Sequence, residues 1–395
     1  MNKAISPSLP SAKKILLIKM GAVGDLIMAS SFFEALRQNY PQARISHLVS
    51  DQLLHTVKEN PHIDRFIPAD SDALYKGGWF SRFREVFRLI SLLRKERFDM
   101  VFVLHWAWQF NVLAFLCGIP VRVGFKRKWG RLFLTHRVRS YEYQSNREAY
   151  LNLIRILGVP VRYHKSHYHL SEQENRFLET FVEEYGIGAE EQLIAVAPGG
   201  GRNLKQIMLT RLWPVDRYME LIGNILQAGL YRIVLIAGPD DGPVIQPILE
   251  QYPQCIDTRT LSFGEKASIL RRCRLLVGND SAPIHMSTAM SIPTYSLWGP
   301  THPKRYGDPV QHHTSFFKEI ECSPCYSYGE FPECNDNQCM QAISVAEVWE
   351  TLQAALSPKI SKPAFIESSV PEKEFPEEIV SAPQGFPERP NPPTA

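Results

Sequence analysis

The chain has 395 residues, 44% hydrophobic and 22% charged, which is enough for two domains with separate cores. No apolar run is long enough to span a bilayer, and residues 1–13 hold no apolar stretch of signal-peptide length, so a cytoplasmic protein is expected. The net charge of +3 hides an asymmetry. Residues 1–160 carry 24 Lys+Arg against 12 Asp+Glu, a net +12, and the remainder carries 20 against 29, a net −9.

The seven cysteines are an odd number and four cluster late, which argues against a secreted disulfide framework. The basic residues concentrate in 82–98 and 122–139, a distribution that suits either an anionic partner or solvated helix faces. No RNP-type, helix-turn-helix or KH pattern accompanies them, so a nucleic-acid partner is not expected.

In chain order, apolar strand-like runs alternate with helix-period segments. Strands are predicted at 15–19, 45–49 and 100–104, then at 193–197, 233–237, 275–278 and 294–297. Amphipathic stretches at 82–97, 215–228, 265–272 and 282–290 separate some of them. Such alternation predicts parallel sheets covered by helices. It pauses from about 160 to 192, where the chain is polar and charge-rich. The expected organisation is an N-terminal extension (1–13), a first doubly wound domain (14–165), a linker with a connecting helix (166–192), a second doubly wound domain (193–356) and a tail (357–395). The tail has nine prolines in 39 residues and is expected to be disordered.

Four segments carry chemistry. The first is Gly21-Ala-Val-Gly-Asp25, between a strand and a helix. Gly21 and Gly24 permit a tight turn and close backbone approach. The segment is neither a G-x-G-x-x-G fingerprint nor a P-loop. Asp25 suits one of two roles: capping the helix, or accepting a proton from a hydroxyl.

The second is "APGGGRNLKQIMLTRLWP" at 197–214. Backbone N–H groups around Gly199 and Gly200, with Lys205 and Arg211 nearby, can cradle a diphosphate, and a plain surface loop is the alternative. The third is "GNDSAPIHMSTAM" at 278–290, where Asp280 and Ser281 precede a helix start that would suit an anion. His285 lies one turn inside. The fourth is Cys322-Ser-Pro-Cys325 with Cys334 and Cys339, whose spacing resembles a structural zinc site and is equally compatible with free thiols or a labile disulfide.

Together these residues resemble glycosyltransferase family 9, the lipopolysaccharide heptosyltransferases. The resemblance covers most of 14–356. It rests on "ILLIKMGAVGDLIMASSFFEALRQNYP", on "RLWP", on "GNDSAPIHMSTAMSIPTYSLWGPTHPKRYGDP" and on the late "CSPC". It implies a GT-B architecture: two Rossmann-like domains facing across a cleft, the first taking the acceptor and the second a nucleotide-sugar.

Carried over residue by residue, the resemblance makes Asp25 the catalytic base and puts Gly21 and Gly24 in the acceptor-side loop. The basic residue of the family's K-x-W-P segment falls on Arg211, where Lys is usual. The D-[ST]-G-x-x-H segment falls on Asp280, Ser281, Ala282 and His285, with Ala282 in place of the usual Gly. Gly199, Gly200 and Lys205 join these as donor-binding residues, and Asp240 and Leu261 match the region near the nucleoside.

The implied activity is inverting, metal-independent sugar transfer, most simply of heptose from ADP-heptose to the lipopolysaccharide core. No cofactor is implied beyond the nucleotide-sugar co-substrate. The implied acceptor is a phosphorylated glycolipid, reached by a monomer at the cytoplasmic face of the inner membrane. Another nucleotide-sugar and glycan, or a basic non-catalytic lipid- or nucleic-acid-binding module, are the competing readings.

Overall fold

A computed structural model of the chain describes residues 11–127, 129–141, 144–159, 161, 165–200, 208–229, 231–326, 333–334 and 336–356. The sequence-predicted tail and Lys205 lie outside them.

The described chain contains two six-stranded parallel sheets. The front sheet comprises β1 (Lys14–Ile18), β2 (Arg44–Ser50), β3 (Arg65–Ala69), β4 (Met100–Val103), β5 (Val121–Phe125) and β6 (His136–Val138), in the order β3-β2-β1-β4-β5-β6. The rear sheet comprises β7 (Gln192–Ala197), β8 (Tyr231–Leu235), β9 (Ile256–Asp257), β10 (Cys273–Asn279), β11 (Thr294–Trp298) and β12 (His313–Phe317), in the order β12-β11-β10-β7-β8-β9. Each is a doubly wound sheet, and its strand order turns back between β1 and β4 or between β7 and β10.

The run at 15–18 is apolar at every position because β1 is covered on both faces. Ile15 and Leu17 join one core with Phe32, Phe33 and Phe102, while Leu16 and Ile18 join another with Leu89, Leu93 and Val101. In the rear half, Leu193, Ala195 and Ala197 of β7 pack with Ile284, Met286 and Trp298.

The strands that periodicity leaves out are β3, β5, β6, β9 and β12. Four of the five are sheet edges, where one side of the ladder is open and polar or proline residues are tolerated. β3 contains Pro68 and β12 reads His-Thr-Ser-Phe-Phe.

The two halves touch through specific residues. A Cβ added to Gly24 would collide with the His285 ring. Arg147, in the front helix Asn146–Arg155, forms a buried ion pair with Asp308 at 3.0 Å and donates to the Gly307 carbonyl at 2.7 Å. Tyr306 packs against both cores, and the His55 ring lies 5.6 Å from that of Phe263.

Candidate active site

Asp25 lies in the first turn of the helix Val23–Met28, directly after β1. The N-cap position is held by Ala22, and no side chain caps the helix, so the capping role open to Asp25 is not the one it plays. Its carboxylate turns instead toward Lys19, whose ammonium donates to Oδ2 at 2.9 Å. Asn146 Nδ2 and the Tyr150 hydroxyl reach Oδ1 more loosely, at 3.5 and 3.4 Å. The Lys19 side chain is 1% exposed whereas that of Asp25 is 22% exposed, so the carboxylate is held from the protein side and open on the other. Lys19 also sits 5.2 Å from the centre of the Tyr150 ring. The turn before Asp25 needs its glycine: Gly21 has φ +153°, and a Cβ there would come within 2.6 Å of Leu53.

The rear half presents a second carboxylate. Asp280 follows β10 and is buried. Arg211 reaches its Oδ2 at 2.5 Å, the Thr301 hydroxyl donates to the same oxygen at 2.5 Å, and His285 Nε2 lies 3.7 Å from Oδ1. Burial by itself would raise this carboxyl. Arg211, and after it His285 and Thr301, outweigh burial and hold it at about 2. Among the described residues, the buried Nε of Arg211 has no hydrogen-bond partner.

Ser281 occupies the N-cap of the helix Ala282–Ala289, but its hydroxyl donates to the Asn279 carbonyl at 3.1 Å rather than capping. Gly199 and Gly200 lie just after β7. Gly200 has φ +98° and lies so close to Ser281 that a Cβ would collide with it. A Cβ on Gly199 would collide with the Asp241 carboxylate, which accepts from Gly200 N at 3.0 Å and Gly238 N at 2.7 Å. Asp240 is exposed, and its neighbour Asp241 touches Gly199 and Gly200. Leu261 is partly buried and packs on the rear core.

Asn279 ties the pieces together. Its side chain accepts from Trp213 N and the Tyr218 hydroxyl, both at 3.0 Å, and donates to the carbonyls of Pro198 and Gly199 at 2.7 and 3.2 Å. The glycine loop, the Arg211–Trp213 segment and the end of β10 are thereby one hydrogen-bonded unit.

The two carboxylates address a common region. The Tyr306 hydroxyl is held well above its ordinary range, by burial first, with Tyr326, Asp25 and Asp280 adding to it against Arg305. Burial also raises Tyr326, whose hydroxyl senses both Asp25 and Arg211. Arg305 Nε donates to Asn146 Oδ1 at 3.4 Å, so Asn146 bridges Asp25 to the rear half. Lys19, Arg305 and Tyr306 lie inside the segments that carry the resemblance without being singled out there, and Asn146 and Tyr150 lie outside them. Lys19 left one further trace, as a cation closing an otherwise apolar run.

All seven cysteines are unpaired, and no group of three or more His, Cys, Asp or Glu able to hold a metal occurs among the described residues. Burial raises the Cys325 thiol, with Cys322 and Cys334 adding to the effect.

Two doubly wound parallel sheets, with polar groups gathered beyond the carboxyl ends of their central strands, define the GT-B class of glycosyltransferases. The sequence model of glycosyltransferase family 9 (heptosyltransferase) matches residues 86–334, and the chain belongs to this family of enzymes. Lipopolysaccharide heptosyltransferase 2 of Escherichia coli is 25% identical over 359 residues, covering 87% of this chain and 98% of that protein. The solved structure of a family 9 glycosyl transferase from Veillonella parvula superimposes with a TM-score of 0.73 at 22% identity, over 87% of this chain and 97% of that one. The structure of E. coli ADP-heptose lps heptosyltransferase II superimposes with a TM-score of 0.68 at 22% identity, over 87% and 98%.

Proposed function

We propose that this glycosyltransferase moves heptose, with inversion, from ADP-heptose onto a phosphorylated lipopolysaccharide-core glycolipid. The observation that carries the reading is the meeting of Gly24 and His285, which sets a half-open carboxylate, Asp25, beside a rear helix start. Asp25 takes the proton of an acceptor hydroxyl as that oxygen attacks the anomeric carbon. The bond from that carbon to the diphosphate breaks, and the leaving diphosphate takes up the electron pair. Fixed donors that meet the charge developing on the leaving group supply much of the rate in such a step.

Arg211 is suited to that task. Asp280 anchors its guanidinium, while the buried Nε keeps a donor unspent among the described residues. The backbone of Gly199 and Gly200 and the start of the Ala282 helix, with Ser281 and His285, complete the donor side in this proposal. Lys205 would join them from outside the described residues.

The names of the relatives support ADP-heptose as donor and lipopolysaccharide as acceptor. The net +12 of residues 1–160 supports a phosphorylated acceptor bound by the front half. The chain acts, in this reading, as a monomer at the cytoplasmic membrane face and needs no metal, because Arg211 and the helix start neutralise the diphosphate.

The test is ADP release on mixing the protein with ADP-heptose and a heptose-deficient core acceptor, alongside a thermal-shift series of nucleotides and nucleotide-sugars. ADP release that requires both substrates is the expected result. Stabilisation by a UDP- or GDP-sugar but not by ADP-heptose would overturn the donor assignment.

A further inference from the structure

The helix Trp79–Glu96 carries two apolar stripes, and only one is used by the fold. Leu89 and Leu93 are 1% exposed and pack against the front sheet. On another side, Trp79, Phe80, Phe83 and Phe87 follow helical spacing and are 79, 67, 64 and 65% exposed. The Phe83 and Phe87 rings stack at 6.3 Å, and the Trp79 and Phe80 rings meet edge to face at 6.0 Å. Four such side chains leave on the order of 500 Å² of aromatic surface in water, at the upper end of what a monomer normally shows.

The exposed charges on this helix are all basic. Arg82 and Arg84 are exposed within it, and Arg94, Lys95 and Arg97 follow at the helix end. The nearby carboxylates are already engaged: Glu85 by Arg88, Glu96 by Arg65 and Asp72 by Lys76.

A second exposed apolar group lies on a neighbouring element. Trp129 and Leu132, in the short 3-10 helix Trp129–Phe133, are 76 and 59% exposed, with Arg131 exposed between them. This turn packs on the start of the helix Gln109–Leu116: a Cβ on Gly130 would meet the N-cap residue Trp108 at 2.6 Å and Asn111 at 3.1 Å. Arg94 in turn donates to the Leu116 carbonyl at 2.8 Å. Both groups therefore belong to one connected set of front-half elements.

We infer that this aromatic and arginine surface docks the enzyme on an anionic lipid bilayer. Aromatic rings suit the headgroup boundary, and interleaved guanidinium groups meet lipid phosphates there. Complementarity of charge favours this occupant over a second copy of the chain, since pairing two such stripes would set like charges against each other. The inference deepens the acceptor reading above and rests on it. A membrane-anchored acceptor is met only by an enzyme that reaches the bilayer.

The experiment is co-sedimentation of the full chain with vesicles of phosphatidylcholine alone and with added phosphatidylglycerol. Strong binding to the anionic vesicles, weakened by salt, is expected. Changing Trp79, Phe80, Phe83 and Phe87 to serine together should lower that binding by at least about tenfold. The melting temperature should stay unchanged, because the four side chains contact solvent. Arg82→Gln with Arg84→Gln should remove most of the preference for anionic lipid. Transfer to a delipidated, water-soluble acceptor fragment reads the acceptor assignment separately. Lost vesicle binding with intact soluble transfer supports the surface. Wild-type protein that ignores anionic vesicles, or a quadruple variant that binds them as well as wild type, overturns it and leaves the acceptor assignment standing. Vesicle binding with no transfer to any core acceptor removes the acceptor assignment instead.

Discussion

Asp25 follows β1 and Asp280 follows β10, so each lies beside the point where its sheet's strand order turns back. The two carboxylates are nonetheless set up for opposite work. Asp280 is 3% exposed and saturated by Arg211, Thr301 and His285, which hold it at about 2. It is a fixed negative charge that orients a cation. Asp25 is 22% exposed, has one short partner in Lys19, and meets its other two only at 3.4 Å or more. A carboxylate can accept a proton in a reaction only if a substrate can reach it, and only one of the two leaves that room. The same residue at a comparable topological position thus becomes an anchor or a candidate base according to its neighbours.

Four outcomes would break or sharpen this contrast. The largest concerns the reaction itself. Asp25→Asn should lower kcat by roughly 10³-fold, within the range for a general base, while donor binding measured by calorimetry is retained. Full activity in that variant would remove Asp25 as the base.

Asp280→Asn should act on stability first. It leaves Arg211 without its charge partner at a largely buried site and should cost about 3 kcal/mol in denaturant unfolding. Asp25→Asn likewise leaves the buried Lys19 ammonium without its charge partner and should cost a comparable amount. Unchanged stability in Asp280→Asn would remove its role as an anchor.

Gly24→Ala tests the meeting of the halves. The added methyl collides with the His285 ring, so one of them must shift. A displacement of about 1 Å at a reacting geometry can cost on the order of 10²-fold, so kcat should fall by up to that amount with the fold intact by circular dichroism.

The last outcome is in the pH dependence of stability, where the halves are expected to behave alike. Burial lowers His47 in the front half and His313 in the rear half, each to about 4. His47 lies between the Phe33 and Phe66 rings, with Nε2 3.1 Å from the Lys19 carbonyl. His313 Nε2 lies 2.7 Å from the Ser296 hydroxyl. Each is folded as the neutral ring. Its contribution is complete above about pH 6.5 and is lost as pH falls toward 4, because the unfolded chain takes up the proton first. At pH 5 the loss is about 2 kcal/mol for each. Urea titrations from pH 7 to 4.5 should show this slope, and His47→Gln should remove the front half's share. An unchanged slope would mean that His47 protonates in the folded state at its ordinary pH.

Some of this was readable from residue order. The central strands β1, β4, β7 and β10 are covered on both faces and therefore leave continuous apolar runs. The edge strands β3, β6, β9 and β12 are short or polar because one side of each ladder is unpaired, and they left no such mark. At the site, Asp25, Arg211, Asp280 and His285 sit at the junctions of strand or loop with helix, where glycines and the pattern change made them visible. Tyr150 lies inside a helix and looks like part of a core, and Lys19 directly follows the apolar run of β1. Asp241, beside Asp240, meets the glycine loop as well, and order along the chain does not mark it.

Local order thus determined the alternating elements, the glycine turns and the chemistry-bearing junctions, since these depend on backbone freedom and on burial period. It also carried the resemblance to the family that the comparisons establish. Tertiary structure decided which groups face one another. Lys19 reaches Asp25 within the front half, while Gly24 meets His285, and Arg147 pairs with Asp308, only across the two halves. It also decided which Asp stays open and which apolar stripe of the Trp79–Glu96 helix is left in solvent. Charge state and exposure follow from the atoms packed around a group, and those atoms come from distant parts of the chain.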